Sequence, residues 1–126
     1  MKKLLMAGVA LLLMSMTKGD GVMVKENGVY IVNTTTLAKD VRGYRGTTPL
    51  KIYIKKNKIE KVEALKNRET PEYFQDVEAQ MLPKWNGMKV SDALSKPVDG
   101  VSGATLSSRA VRENVKRGLE YYQKNK

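Results

Sequence analysis

The segment that most constrains the fold is Leu50-Lys-Ile-Tyr-Ile-Lys-Lys-Asn-Lys-Ile-Glu-Lys-Val-Glu-Ala-Leu65. Leu50, Ile52 and Ile54 alternate with Lys51, Tyr53 and Lys55. Strand side chains point to opposite faces in turn, so this pattern buries one face and wets the other. Lys56-Asn57-Lys58 supplies a turn, Ile59 sits across it, and Val62 lies on the return strand. The segment predicts an antiparallel hairpin with one buried face, which a second layer must cover.

The flanking sequence supplies more strand and then helices. Asn27-Gly28 is a favoured two-residue hairpin turn between the strand-forming runs around Val22–Val24 and Val29–Val32. Asn33-Thr34-Thr35-Thr36 ends the second run with hydroxyls suited to capping a turn, and Leu37 to Val41 reads as a helical turn. Gly43-Tyr44-Arg45-Gly46 then brackets an aromatic and a cation with glycines before Pro49 leads into the central hairpin. Beyond it, Thr70 is a candidate cap with Pro71 at the first helical position. Phe74, Val77, Met81 and Leu82 fall on one helical face, and Pro83-Lys-Trp-Asn-Gly87 is expected to break that helix. Trp85, the single tryptophan, reads as core or lid, or as a stacking partner for a ligand. Val90 to Leu94 predicts a further short helix, ended by Pro97. Ala110, Val111, Val115, Leu119 and Tyr122 recur at steps of three and four, the mark of an amphipathic helix. Arg109, Arg112, Lys116 and Arg117 take its other face, and Tyr121-Tyr122 is expected to seal the core. The sum is one α+β domain: a twisted antiparallel sheet packed by two or three helices.

Residues 1–19 differ from the rest. Lys2 and Lys3 precede the almost wholly apolar run Leu4 to Met16, and Thr17-Lys18-Gly19-Asp20 turns polar. That is a signal-peptide pattern, and the run is short of the ~20 residues of a membrane span. The expectation is export, to the periplasm or the outer face of a bacterial inner membrane, with residues 20–126 as the domain. The formal net charge of +10 favours anionic partners, but no aromatic-interleaved basic segment marks a nucleic-acid surface. The chain has no cysteine and no histidine. Disulfides, thiolate metal sites and Ser-His or Cys-His nucleophile pairs are thereby excluded, and no metal site is expected.

The chemistry concentrates in Asp99-Gly-Val-Ser-Gly-Ala-Thr-Leu-Ser-Ser108. Ser102, Thr105, Ser107 and Ser108 bring four hydroxyls to an expected helix start, where free N–H groups suit a phosphate. A Walker loop is excluded because Ala104 follows Gly103, and a nucleophile elbow because Ala104 stands at its second glycine. Ser-Gly-Ala-Thr followed by x-Ser, with Asp99 three residues before Ser102, resembles the flavinylation sequence of the FMN-binding domain family. Gly43-Tyr-x-Gly46 before the hairpin and Glu69-Thr70-Pro71 after it resemble further family features, so the likeness covers roughly residues 40–122. One departure is Glu72-Tyr73-Phe74, where members often continue with glycines.

The resemblance implies that the C-terminal helix starts beside Thr105 and that Thr105 forms a phosphoester with FMN. It implies that Ser102, Gly103, Ala104, Ser107 and Ser108 surround that link, and that Glu69 and Thr70 lie near the flavin. From the residues alone, Glu69 and Thr70 read equally as capping groups, and Tyr44 either as an aromatic at the sheet edge or as a flavin contact. Asp99, with Gly103-Ala104, would be read by a dedicated, magnesium-dependent flavin transferase. The function so implied is an exported electron carrier, not an enzyme, with a redox partner at the membrane and no nucleic-acid partner. Two alternatives remain: a non-covalent flavin- or small-ligand-binding domain, and a cofactor-free basic envelope interaction protein.

Overall fold

The structure is a computed structural model that describes residues 21–126; the leader expected over 1–19 lies outside the described residues. Strands β1 (Met23–Glu26), β2 (Val29–Asn33), β3 (Leu50–Lys55) and β4 (Lys58–Ala64) form an antiparallel sheet in that spatial order. Three α-helices follow: α1 (Pro71–Asp76), α2 (Val90–Ser95) and α3 (Thr105–Asn125). The α+β expectation holds, and α3 starts at Thr105 as the Ser-Gly-Ala-Thr loop implied.

Both hairpins close through two left-handed residues. Asn27 (φ 51°) and Gly28 (φ 82°) join β1 to β2, and Lys56 (φ 52°) and Asn57 (φ 63°) join β3 to β4. Two positive φ angles in succession give a turn whose twist matches that of the strands. The spacing of Ile59 and Val62 is three, which strict alternation would put on opposite faces. A bulge resolves this: Tyr53 pairs with Lys61 but Ile54 with Ile59, so Glu60 is the extra residue. Ile59 and Val62 are then both buried, across from Ile54 and Ile52.

The apolar face of the sheet carries Val32, Leu50, Ile52, Ile54, Ile59 and Val62 in one core with Phe74, Val77, Met81, Leu82 and Trp85 from the first helical segment. Val111, Val115, Leu119 and Tyr122 of α3 complete it. Helix α3 lies over β2 and β3, while the Leu82–Trp85 turn lies against β4. Gly118 permits the close approach of α3. A Cβ there would stand 2.6 Å from Ile52 Cδ1 and 3.1 Å from Thr34 Cγ2. Tyr122 meets Tyr30 edge-on, with centroids 5.2 Å apart, and closes one end of the core; Tyr121 is only half-buried.

The first helical segment departs from the sequence reading. Regular α-helix stops at Asp76, one π turn covers Val77–Met81, and a 3₁₀ turn covers Leu82–Trp85. Pro83 has no N–H to donate, so a regular helix could not run through it. The chain widens instead, with Leu82 N–H bonding Val77 O, and then tightens as Asn86 N–H bonds Pro83 O. Pro83 thus remodels the helix, and the break comes after Trp85. The change turns Trp85 into the core, where it is 2 % exposed.

One buried polar network was not legible in the apolar periodicity. Asn114 on α3 accepts a hydrogen bond from Thr34 Oγ1 and donates to Ala110 O (2.9 Å) and Thr48 Oγ1 (3.3 Å). Thr34 Oγ1 in turn accepts from Leu50 N–H at 2.9 Å. Buried polar groups must find partners, and these fix α3 against the ends of β2 and β3.

Candidate functional site

Three segments converge at the N-terminal end of α3. The first is the Gly43–Gly46 loop, closed by Gly43 N–H bonding Gly46 O (2.7 Å) and by the Arg42–Thr47 bridge. The second is Asn67–Thr70, bent by Asn67, whose Oδ1 accepts from Glu69 N–H (3.0 Å) and whose Nδ2 donates to Leu65 O (3.1 Å). The third is the Gly100–Ser108 stretch that opens α3.

Glu69 ties them together. Its carboxylate is buried and accepts from the backbone N–H groups of Tyr44 (3.1 Å), Arg45 (2.8 Å) and Gly46 (3.1 Å). It also accepts a hydrogen bond from the Ser107 hydroxyl. Three converging N–H groups make a concave anion seat, and here the chain's own carboxylate fills it. Gly43 is required for this approach: a Cβ there would lie 2.9 Å from Glu69 Oε1. Burying a carboxylate is costly unless it is fully hydrogen-bonded, so Glu69 holds the Tyr44 loop and α3 together only while this set is complete.

The loop before α3 is shaped by its glycines. Ala104 N–H bonds Val101 O (3.0 Å) across a turn whose third residue, Gly103, has φ 86°. Gly100 lies against α3; a Cβ there would stand 2.6 Å from Ser108 Cβ. Ser108 Oγ accepts from Val101 N–H at 2.9 Å and pins the loop. Ala104 sits at the N-cap and offers no side-chain cap, so the first-turn N–H groups of α3 have no side-chain acceptor from that position.

A pocket of about 320 Å³ opens where the segments meet, lined by Tyr44, Glu69, Thr70, Gly103, Ala104, Thr105, Leu106 and Ser107. Among the described residues the exposed large hydrophobic side chains are Tyr44 (62 %) and Leu106 (47 %), and both line this pocket. Such exposure is informative because large apolar side chains normally lie inside. A second recess of about 330 Å³ is lined by Gly100, Val101, Ser102, Thr105, Ser108 and Arg112. Arg112 is steadied there by Nη1 donating to Val98 O at 3.2 Å. Thr105 is exposed and borders both spaces.

The residues singled out in the sequence therefore fall into distinct places. Tyr44, Glu69, Thr70, Gly103, Ala104, Thr105 and Ser107 share the first pocket, and Ser102 and Ser108 share the second with Thr105. Asp99 is exposed and lines neither; its carbonyl accepts from Lys84 Nζ at 3.4 Å. Leu106 was missed. It stands one turn before Ala110, which is buried, while Leu106 itself is exposed. Its signal was its place inside the hydroxyl-rich motif.

A pocket with an aromatic and an aliphatic wall, an anchored carboxylate and a hydroxyl at a helix start defines a small-ligand-binding domain suited to a flat ring that bears a phosphate. The FMN-binding domain model matches residues 43–120, a span that holds all three segments. The chain belongs to the FMN-binding domain family, and FMN is the cofactor the family implies. No curated protein and no solved structure gives a significant match. The residues present fit FMN: the pocket volume lies at the lower end of the ~300–1,000 Å³ usual for small-ligand sites, and its exposed walls are apolar.

Proposed function

We propose that this chain is an exported, one-flavin electron carrier that holds FMN through a phosphoester on Thr105. The observation that carries the reading is the position of Thr105, exposed at the border between the pocket walled by Tyr44 and Leu106 and the polar recess holding Ser102, Ser108 and Arg112. Tyr44 and Leu106 would flank the ring system. Arg112 and the uncapped N–H groups of α3 would offset the negative charge of the phosphodiester. Glu69 and Ser107 would hold the two walls at a fixed spacing. The flavin, when bound, supplies the redox chemistry, and the protein holds and tunes it.

Attachment falls to a separate, magnesium-dependent flavin transferase acting on FAD. In that step Thr105 Oγ bonds to the FMN phosphorus, the pyrophosphate linkage breaks and AMP leaves. The hydroxyl proton passes to a base on the transferase, so this chain needs no catalytic residue. The exposed Asp99 and Gly103 are available to be read by the transferase, with the buried Ala104 shaping the loop between Gly103 and Thr105. Export rests on the Lys2-Lys3 and Leu4–Met16 pattern, with residues 20–126 as the working domain and a redox partner at the membrane.

The test is retention of colour. Protein co-expressed with a transferase keeps its flavin absorbance after denaturation and filtration, and Thr105→Val abolishes that. Loss of all flavin from wild-type protein on denaturation would favour the non-covalent reading, which the same pocket also supports because Tyr44 and Leu106 would flank a ring whether or not it is tethered to Thr105.

A further inference from the structure

The rim of the flavin pocket has a chemistry that the ring alone does not use. Tyr44 and Leu106, whose pocket-facing sides the ring would take, are largely exposed, and Arg42, Arg45 and Arg68 lie within two chain positions of the pocket-lining Tyr44 and Glu69. The arginines are fixed by backbone already described: Arg45 N–H is seated on Glu69, Arg42 Nη2 reaches Arg45 O at 3.5 Å, and Arg68 Cβ lies 3.6 Å from a Cβ placed on Gly46. All three are exposed, and none forms an ion pair among the described residues. Arg117 is different: it pairs with both Asp40 and Glu113. Glu69, next to Arg68 in the chain, is buried and already spans four donors, and the exposed Glu72 forms no ion pair with these arginines.

Exposed aromatic and aliphatic anchors ringed by arginine are the composition of a protein-binding patch, since tyrosine and arginine dominate such contacts. We infer that this rim is the docking surface for an acidic protein partner that exchanges electrons with the flavin. The inference rests on the proposed flavin reading for its purpose, and on charge complementarity for the partner's class. Location supports it. A second basic cluster, Lys56, Lys58, Lys89 and Lys126, lines a recess with Gln123 at the far end of α3. At 1.5 Å per residue, Gln123 is about 27 Å along the helix from Thr105, so a partner held at those lysines would sit far from the pocket. Arg45 and Arg68, by contrast, are chain neighbours of Tyr44 and Glu69, which line the pocket.

The experiment separates local from net charge. The protein without flavin is titrated with a hexaglutamate peptide and followed by amide NMR, alongside two charge-matched variants. One carries Arg42→Gln, Arg45→Gln and Arg68→Gln; the other carries Lys56→Gln, Lys58→Gln and Lys89→Gln. Shifts should centre on residues 42–46, 68 and 106, and the arginine variant should lose about five-fold in affinity at low salt, the lysine variant much less. Equal losses in the two variants, or shifts centred on the lysines, overturn the inference. In flavin-loaded protein the arginine variant should also slow oxidation by hexacyanoferrate, with the lysine variant near wild type; equal rates in all three overturn it too. Absence of flavin on Thr105 would defeat the proposed function and leave the peptide titration to decide this inference.

Discussion

Replacing Glu69 by alanine removes the carboxylate that joins the Tyr44 loop to α3. The Gly46 N–H is buried, so leaving it without an acceptor costs about 1–3 kcal/mol. The Tyr44 and Arg45 N–H groups and the Ser107 hydroxyl add about 0.5 kcal/mol each, because the pocket lets water reach the vacated position. The expected loss is about 3 kcal/mol, a large share of the roughly 5–15 kcal/mol that stabilises a domain. Urea unfolding should show it as a midpoint shift of about 1–3 M at unchanged slope. Amide exchange adds the local signature: the protons of Tyr44, Arg45 and Gly46 should exchange far faster, while those of Val115 and Leu119 keep their rank as the slowest. Gly43→Ala should act in the same direction, since its Cβ would press on Glu69 Oε1 from 2.9 Å. A Glu69→Ala loss below about 1 kcal/mol with unchanged exchange at residues 44–46 would refute the reasoning, because the carboxylate would then be solvated and not binding the loop.

Other outcomes follow from the same geometry. Gly118→Ala should destabilise by about 1 kcal/mol: a helix-propensity gain of about 1 kcal/mol is outweighed by about 2 kcal/mol of overpacking against the fully buried Ile52, measured by thermal melts. Burial, followed by the charge of Tyr30, raises the pKa of the Tyr122 hydroxyl above its ordinary 10.0, against a hydrogen bond from the Asn57 backbone that lowers it. Folded protein then holds that proton more tightly than unfolded chain, so the stability it gives is present below pH 10 and is lost as pH rises through the folded pKa. Tyr122→Phe should flatten that alkaline limb in denaturant melts across pH 9 to 12. The Asp40 carboxyl is held below its ordinary value by its hydrogen bond to Arg117, so its contribution is present above pH 4 and fades as pH falls through the lowered value. Arg117→Gln should raise the carboxyl's titration toward its ordinary value, read by NMR.

The sheet was legible because its residues obey a short-range rule. Leu50, Ile52 and Ile54 alternate, and Asn27-Gly28 has one favoured turn geometry, so local sequence specifies both hairpins. The bulge at Glu60 was half-legible: Ile59 and Val62 were placed on the return strand of a hairpin with one buried face, and burying both at their odd spacing requires the extra residue the structure supplies. Helix α3 and its start at Thr105 were legible from the stripe and from the motif. The π and 3₁₀ turns around Pro83 were not, because the proline forbids a regular helix without saying whether the chain stops or changes pitch. At the site, Glu69 was singled out, but its partners were invisible. Its seat is made of backbone N–H groups more than twenty residues away, which carry no side-chain signature. The Thr34–Asn114–Thr48 network was hidden for a related reason: single polar residues in mid-helix or beside strand ends read as surface until packing buries them.

The most direct measurement is a peptide mass spectrum of the protein after incubation with FAD, magnesium and an active flavin transferase. The predicted result is a gain of FMN less one water on the peptide that contains Thr105, absent from Thr105→Val. An unmodified Thr105 peptide in the presence of a transferase that modifies a control substrate, or the same mass gain on the Thr105→Val peptide, would contradict the assignment of Thr105 as the flavin carrier.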